Sequence, residues 1–247
     1  MVLTYHNIGA EPGFNTVAQS SLKEQLAYIS GNYEVVSVDE YVNYLIANGK
    51  SKEGAAVISF DDAYVSFSEL AMPLLREQEL PVALFVCTGV IGKTNEWDSP
   101  DKRIPVMNEG MIRMLSTDSL ITIGAHTDTH RSLTSLGERD LRDEMNIPRR
   151  KLEELTGKPV NYLAYPYGQL HLNVSNEVKK AALDAGYKAA FSTNFGSSNS
   201  SGNIYALNRI DITGADSMDG FISKLKPAKY YYYKQKVKNI YSRMKTM

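Results

Sequence analysis

Short apolar runs recur along the chain, and most are followed by a stretch in which apolar residues return every third or fourth position. Val2–Tyr5, Glu34–Val38, Ala55–Phe60, Val82–Val86, Leu120–Gly124, Val160–Ala164 and Tyr187–Phe191 have the length and the β-branched and aromatic content of buried strands. Between them, Leu22–Ser30, Tyr41–Asn48, Phe67–Gln78, Glu109–Leu115, Glu138–Leu155 and Ser175–Ala185 carry helical spacing. Gly157-Lys158-Pro159 and Gly186 stand where two of these helices should stop. The alternation predicts an α/β architecture with a largely parallel sheet of about seven strands. A closed barrel and an open wound sheet both satisfy the pattern, and both gather ligands at the carboxyl ends of their strands. Two segments, Gly92–Asn108 and Asn194–Asn203, are polar and unpatterned and read as loops.

Polar residues of chemical interest fall at those strand ends. His6 follows the first run, Asp61 and Asp62 the third, His126 the fifth, and Tyr165-Pro166-Tyr167-Gly168 the sixth. In "GAHTDTH" (Gly124–His130), His126 and His130 are four positions apart, so on a helical turn they would share a face and could bind one metal ion. Two imidazoles and one carboxylate make a three-ligand site with open positions, suited to zinc or a similar divalent ion that activates water. The Asp61-Asp62 pair supplies one ligand and leaves one carboxylate as a general base. A helix cap would explain one Asp but not two in succession.

Other motifs fail on spacing or context. "GVIGKT" (Gly89–Thr94) has two residues between its glycines where a phosphate loop needs four. "HTD" (His126–Asp128) could open an iron facial triad, but those sites usually sit in all-β folds. No Gly-x-Ser-x-Gly elbow occurs.

With these residues assembled, the chain resembles the polysaccharide deacetylase family, the NodB-homology or carbohydrate esterase family 4 enzymes. The resemblance covers about residues 1–215 and rests on "SFDDAY" (Ser59–Tyr64), "HTDTH" (His126–His130) and "AYPYG" (Ala164–Gly168). It implies a distorted (β/α)7-type barrel as a single domain over residues 1–215, with a basic helical extension over 216–247. It further implies Asp61 as catalytic base, and Asp62, His126 and His130 as holders of one divalent metal ion, zinc or else Co, Ni, Mn or Fe. The backbone N–H of Tyr167 would stabilise the oxyanion.

Three departures stand out. Ala63 replaces the Gly that many members place after the Asp pair, a minor change if its φ is negative. The Arg that orients the base is missing from the third motif, where Ala164 stands, and Arg209 in "ALNRIDI" is the substitute expected. The late Leu-x-His that supplies the leaving-group acid is absent. The subset acting on poly-N-acetylglucosamine carries a Tyr-His motif on the first strand, and by that resemblance His6 takes the acid role, although Asn7 follows it where Asp is frequent. His171 has no motif behind it and reads as a surface residue. Trp97 could stack on a sugar ring or pack into the fold.

Bulk composition adds bounds. The 247 residues are 43% hydrophobic, ample for one core. A formal net charge of −1 does not advertise nucleic-acid binding. The charge is uneven: the segment from Lys224 onward holds eight Lys or Arg and no Asp or Glu, which leaves the preceding 223 residues at −9. Val237, Ile240, Tyr241 and Met244 give that tail the spacing of a basic amphipathic helix, packed on the barrel or lying on an anionic membrane surface. One cysteine, Cys87, excludes an intrachain disulfide framework. The first residues show no signal-peptide pattern, so the expected location is cytoplasmic, with membrane association through the tail as a second reading, or extracytoplasmic if a leader once preceded this chain. The function expected is metal-dependent removal of N-acetyl groups from amino sugars of an acetylated glycan substrate, a surface or lipid-linked glycan included. An O-acetyl carbohydrate esterase and a non-catalytic glycan-binding relative are the alternatives.

Overall fold

In the computed structural model, residues 1–226 are described, and the predicted amphipathic helix of the tail lies outside them. The chain opens with β1 (Val2–Tyr5), β2 (Asn7–Gly9), β3 (Thr16–Ala18), α1 (Gln19–Asn32), β4 (Glu34–Val35) and α2 (Val38–Asn48). It continues with β5 (Ala55–Phe60), a π-helical turn over Phe67–Ala71, α3 (Met72–Glu77), β6 (Val82–Val86), α4 (Glu109–Ser116), β7 (Ile121–Ala125) and α5 (Glu138–Thr156). Last come β8 (Tyr162–Ala164), α6 (Asn176–Asp184), β9 (Ala189–Phe195), β10 (Leu207–Asp211) and α7 (Met218–Leu225). Strands β1, β5, β6, β7, β8, β9 and β10 pair in parallel in that order, and β1 closes the ring by pairing with both β5 and β10. The predicted (β/α)7-type barrel is therefore the fold.

Its membership differs from the predicted strand set in one place. Glu34–Val38 is not a barrel strand. Only Glu34 and Val35 are extended, against Ala55 and Ala56, because Ser37 opens α2 through a capping box with Glu40. The seventh barrel strand is instead β10, whose apolar pattern is broken by the buried Arg209. The helix expected over Phe67–Gln78 is divided by the π-helical turn, and α3 begins with Pro in its first turn.

Alternation along the strands separates two cores. Leu3, Tyr5, Ile58, Phe60, Leu84 and Val86 belong to the large cluster shared with the surrounding helices. Val2, Val57, Phe85, Tyr162, Phe191 and Leu207 cluster with Val38, Tyr41, Val42 and Leu45, so α2 closes one end of the barrel interior as a plug. The plug leaves the other end, where the carboxyl ends of the strands converge, open for chemistry. Phe221 and Leu225 of α7 are buried in the large cluster, with Phe221 edge-on to Tyr28 of α1. Among the described residues no helix is long and apolar enough to cross a membrane.

Candidate active site

Strand register brings the predicted residues together. Tyr5 pairs with Phe60, and the N–H of Asp61 donates to the Tyr5 carbonyl at 3.0 Å, so His6 and the Asp pair leave neighbouring strands at the same level. Thr4 pairs with Asp211 on the other side, and the N–H of His126 donates to the Val86 carbonyl at 2.8 Å. The resulting cleft, about 300 Å³, is lined by Asp61, Asp62, His126, His130, His6 and Tyr167, among others.

Asp61 faces Arg209. Nη1 and Nη2 of the guanidinium donate one hydrogen bond each, both 2.8 Å, to the two carboxylate oxygens, while Nε donates to the Ser192 carbonyl at 2.9 Å. Both side chains are buried. Burial acts to raise the Asp61 carboxyl, but the Arg209 charge and its two hydrogen bonds outweigh it and hold the group well below the usual carboxylate range.

Asp62, His126 and His130 form the second cluster, with one ligand atom from each lying within 4.8 Å of the others. Asp62 Oδ1 is 3.4 Å from His126 Nε2 and 3.6 Å from His130 Nε2. His126 Nδ1 is 2.8 Å from the Ala164 carbonyl; a carbonyl only accepts, so Nδ1 carries the proton and Nε2 presents a lone pair to the cluster. Burial holds the His130 imidazole far below its ordinary range, hence neutral. Burial raises the Asp62 carboxyl, and the Tyr64 hydroxyl is its hydrogen-bonding neighbour. Among the described residues, Asp62 Oδ1 and His130 Nδ1 are both buried without a hydrogen-bond partner. An unpartnered carboxylate oxygen beside the His126 lone pair and the His130 imidazole fits a divalent cation.

The expected helical turn over His126–His130 is not there. Thr127 and His130 have positive φ (61° and 57°), so the two imidazoles converge through a tight left-handed turn. That turn is clamped by Glu144, a buried carboxylate on α5. Glu144 accepts the N–H groups of Asp128 and Thr129 at 2.9 Å each and the Thr129 hydroxyl. Asp128 bonds Thr88 and stands outside the metal-ligand cluster. Asp62 and Ala63 also have positive φ (70° and 54°), as do Tyr167 and Gly168 (59° and 57°). Ala63 therefore does not meet the condition under which its substitution for Gly is minor. Strained backbone concentrates at this cleft.

The remaining candidates sort clearly. His6 Nδ1 is 3.8 Å from Asp211 Oδ1, a partner the sequence reading missed because Asp211 ends a strand that was not recognised. Tyr167 lays its ring edge against His130 at 5.0 Å, and among the described residues its N–H has no hydrogen-bond acceptor. Trp97 stacks face to face on His130, with centroids 3.9 Å apart, so it forms a wall of the cleft and packs with Ile104, Val90 and Val106. His171 is exposed, as expected.

The profile of the polysaccharide deacetylase family matches residues 48–190, more than half of the chain. The chain belongs to this family. Among curated relatives, this family member is 22% identical over 221 residues to YxkH of Bacillus subtilis, spanning 89% of the chain and 74% of that protein. It is 24% identical over 181 residues to the poly-beta-1,6-N-acetyl-D-glucosamine N-deacetylase of Staphylococcus aureus, spanning 70% of the chain and 60% of that enzyme. The Streptococcus pyogenes deacetylase PplD, solved with acetate, superposes with a TM-score of 0.76 at 22% identity, over 92% of this chain and 97% of that one. IcaB from Ammonifex degensii superposes at 0.75 with 20% identity and the same coverage. These likenesses show that the deacetylase barrel is shared.

Proposed function

We propose that this polysaccharide deacetylase removes N-acetyl groups from amino sugars of a poly-N-acetylglucosamine-type glycan. The observation that carries the reading is the buried Asp62-His126-His130 set beside the Asp61–Arg209 pair. The substrate class is supported by the activity named for the staphylococcal relative, of which this chain spans 60%. Asp62, His126 and His130 would hold one divalent ion, zinc or else Co, Ni, Mn or Fe, which when bound supplies Lewis acidity for a water and for the acetyl carbonyl.

The side chains divide the remaining work. Asp61, kept ionised by Arg209, accepts the proton of the attacking water through a lone pair that the guanidinium leaves free. The N–H of Tyr167 donates to the oxygen on which negative charge develops. His6 hands a proton to the departing nitrogen as the carbon–nitrogen bond breaks, with the Asp211 carboxylate 3.8 Å from its Nδ1, so acetate and a free amine leave. This dyad favours the amide over the ester, because an amine is the poorer leaving group. The basic composition of the sequence from Lys226 onward supports peripheral contact with an anionic membrane surface, where a lipid-linked glycan would be within reach.

Elemental analysis of the purified protein, with acetate release from β-1,6-linked N-acetylglucosamine oligomers before and after chelation, tests the reading. About one metal equivalent and chelator-sensitive release are expected. A metal-free protein that is equally active, or a loaded protein that is inert on amides but active on acetyl esters, overturns it.

A further inference from the structure

Phe14 is the most exposed large apolar side chain among the described residues, at 80%, yet it lines the same cleft as Asp61, Asp62 and His126. A single exposed aromatic is ordinary on a protein surface. The backbone that carries this one is not free, however. Gly13 N–H donates to the Thr16 carbonyl at 2.8 Å and Thr16 N–H returns to the Gly13 carbonyl at 3.3 Å, while Gly214 N–H donates to the Gly13 carbonyl at 3.1 Å. The N–H of Asn7 donates to the Asn15 carbonyl at 3.0 Å, its Nδ2 donates to Thr16 Oγ1 at 3.0 Å, and the Ser66 hydroxyl donates to Asn7 Oδ1 at 2.6 Å. Gly214 approaches so closely that a Cβ there would collide with the Thr16 and Gly13 carbonyls. Three separate parts of the chain thus fix the backbone on either side of Phe14, so little backbone entropy remains to be lost when something packs on its ring.

Position adds to this. Phe14 rises from the β1 side of the mouth, whereas Tyr167, 48% exposed, follows β8, three strands away around the ring of seven. The two rings therefore stand on opposite rims. Sugar rings present C–H faces that pack on aromatic side chains, and a chain of sugars crossing the mouth would pass over the rim that Phe14 lines.

We propose that Phe14 is a stacking platform for the sugar next to the one being deacetylated, so that the enzyme selects an oligosaccharide over a single sugar. The proposal rests on the deacetylase reading above. Its test compares wild type, Phe14→Ala and Phe14→Trp on N-acetylglucosamine, its β-1,6 pentamer and 4-nitrophenyl acetate. Phe14→Ala should lower kcat/KM on the pentamer on the order of 10-fold relative to the aryl acetate, mainly through KM, and Phe14→Trp should restore it. Equal losses on all three substrates, or none on the pentamer, overturn the platform. So does a Phe14→Ala variant with unchanged kinetics that no longer sediments with anionic vesicles, since the ring would then be a membrane contact. Calorimetry separates the two readings. If wild type releases no acetate but binds the pentamer at least 10-fold more tightly than Phe14→Ala, the platform stands and the deacetylase reading falls; equal binding removes the platform.

Discussion

Arg209 and Asp61, 148 positions apart, share a two-pronged ion pair with both N–H···O distances at 2.8 Å, buried at the open end of the barrel. The planar fork fixes the carboxylate in one orientation, which an ammonium cannot do. Arg209→Met leaves a buried carboxylate without its counter-charge, and about 3 kcal/mol of destabilisation is expected, with loss of acetate release. Arg209→Lys should regain most of the stability but less of kcat. Thermal melts and steady-state kinetics on the pair of variants read both effects; an Arg209→Met protein as active as wild type removes Asp61 from the mechanism as drawn.

The same pair sets an acid limit. Because the Asp61 carboxyl is held below its unfolded value, its stabilising contribution is complete above about pH 4 and disappears only as acid reaches the lower folded value. Stability against urea should therefore fall more steeply below about pH 4 in wild type than in Arg209→Met, whose carboxylate has no such depression. Parallel curves would contradict the assignment.

Glu144 touches no predicted ligand, yet it holds the turn on which His126 and His130 converge. Glu144→Gln keeps the volume but replaces one accepting oxygen with a donor. Zinc affinity, measured by chelator competition, should weaken by about 10- to 100-fold. A fall in melting temperature with unchanged zinc affinity would mark Glu144 as structural only.

Zinc itself should stabilise the folded chain. At free zinc about 100 times its dissociation constant, roughly 2.7 kcal/mol is gained, which is about 5–10 °C in Tm for a domain of this size. Asp62→Asn should abolish that gain. Identical zinc-induced shifts in the two proteins would place the ion elsewhere.

Gly168 sits at φ 57°, where an added Cβ would lie 2.6 Å from the Thr193 nitrogen. Gly168→Ala must displace either β9 or the preceding Tyr167, so a loss of about 1–3 kcal/mol with a fall in kcat is expected. Retention of full kcat would show that the Tyr167 N–H is not needed where it stands.

Local chemistry determined a good part of this protein. Alternating apolar periods mark strands and helices, and six of the seven predicted strands are barrel strands. Asp61, Asp62, His126 and His130 are legible because paired acids and spaced imidazoles break an apolar pattern where folding does not require them. What the tertiary structure alone decided depends on partners far away in the chain. β10 is a strand because β9 and β1 supply its hydrogen bonds on both sides, although Arg209 interrupts its apolar run. Asp211 comes beside His6, and Glu144 beneath the histidine turn, only when β10 meets β1 and α5 packs against that turn. The left-handed backbone at Asp62, Ala63, Thr127, His130 and Tyr167 is likewise invisible in residue type, since these are conformations that non-glycine residues avoid unless the surrounding fold over-determines them.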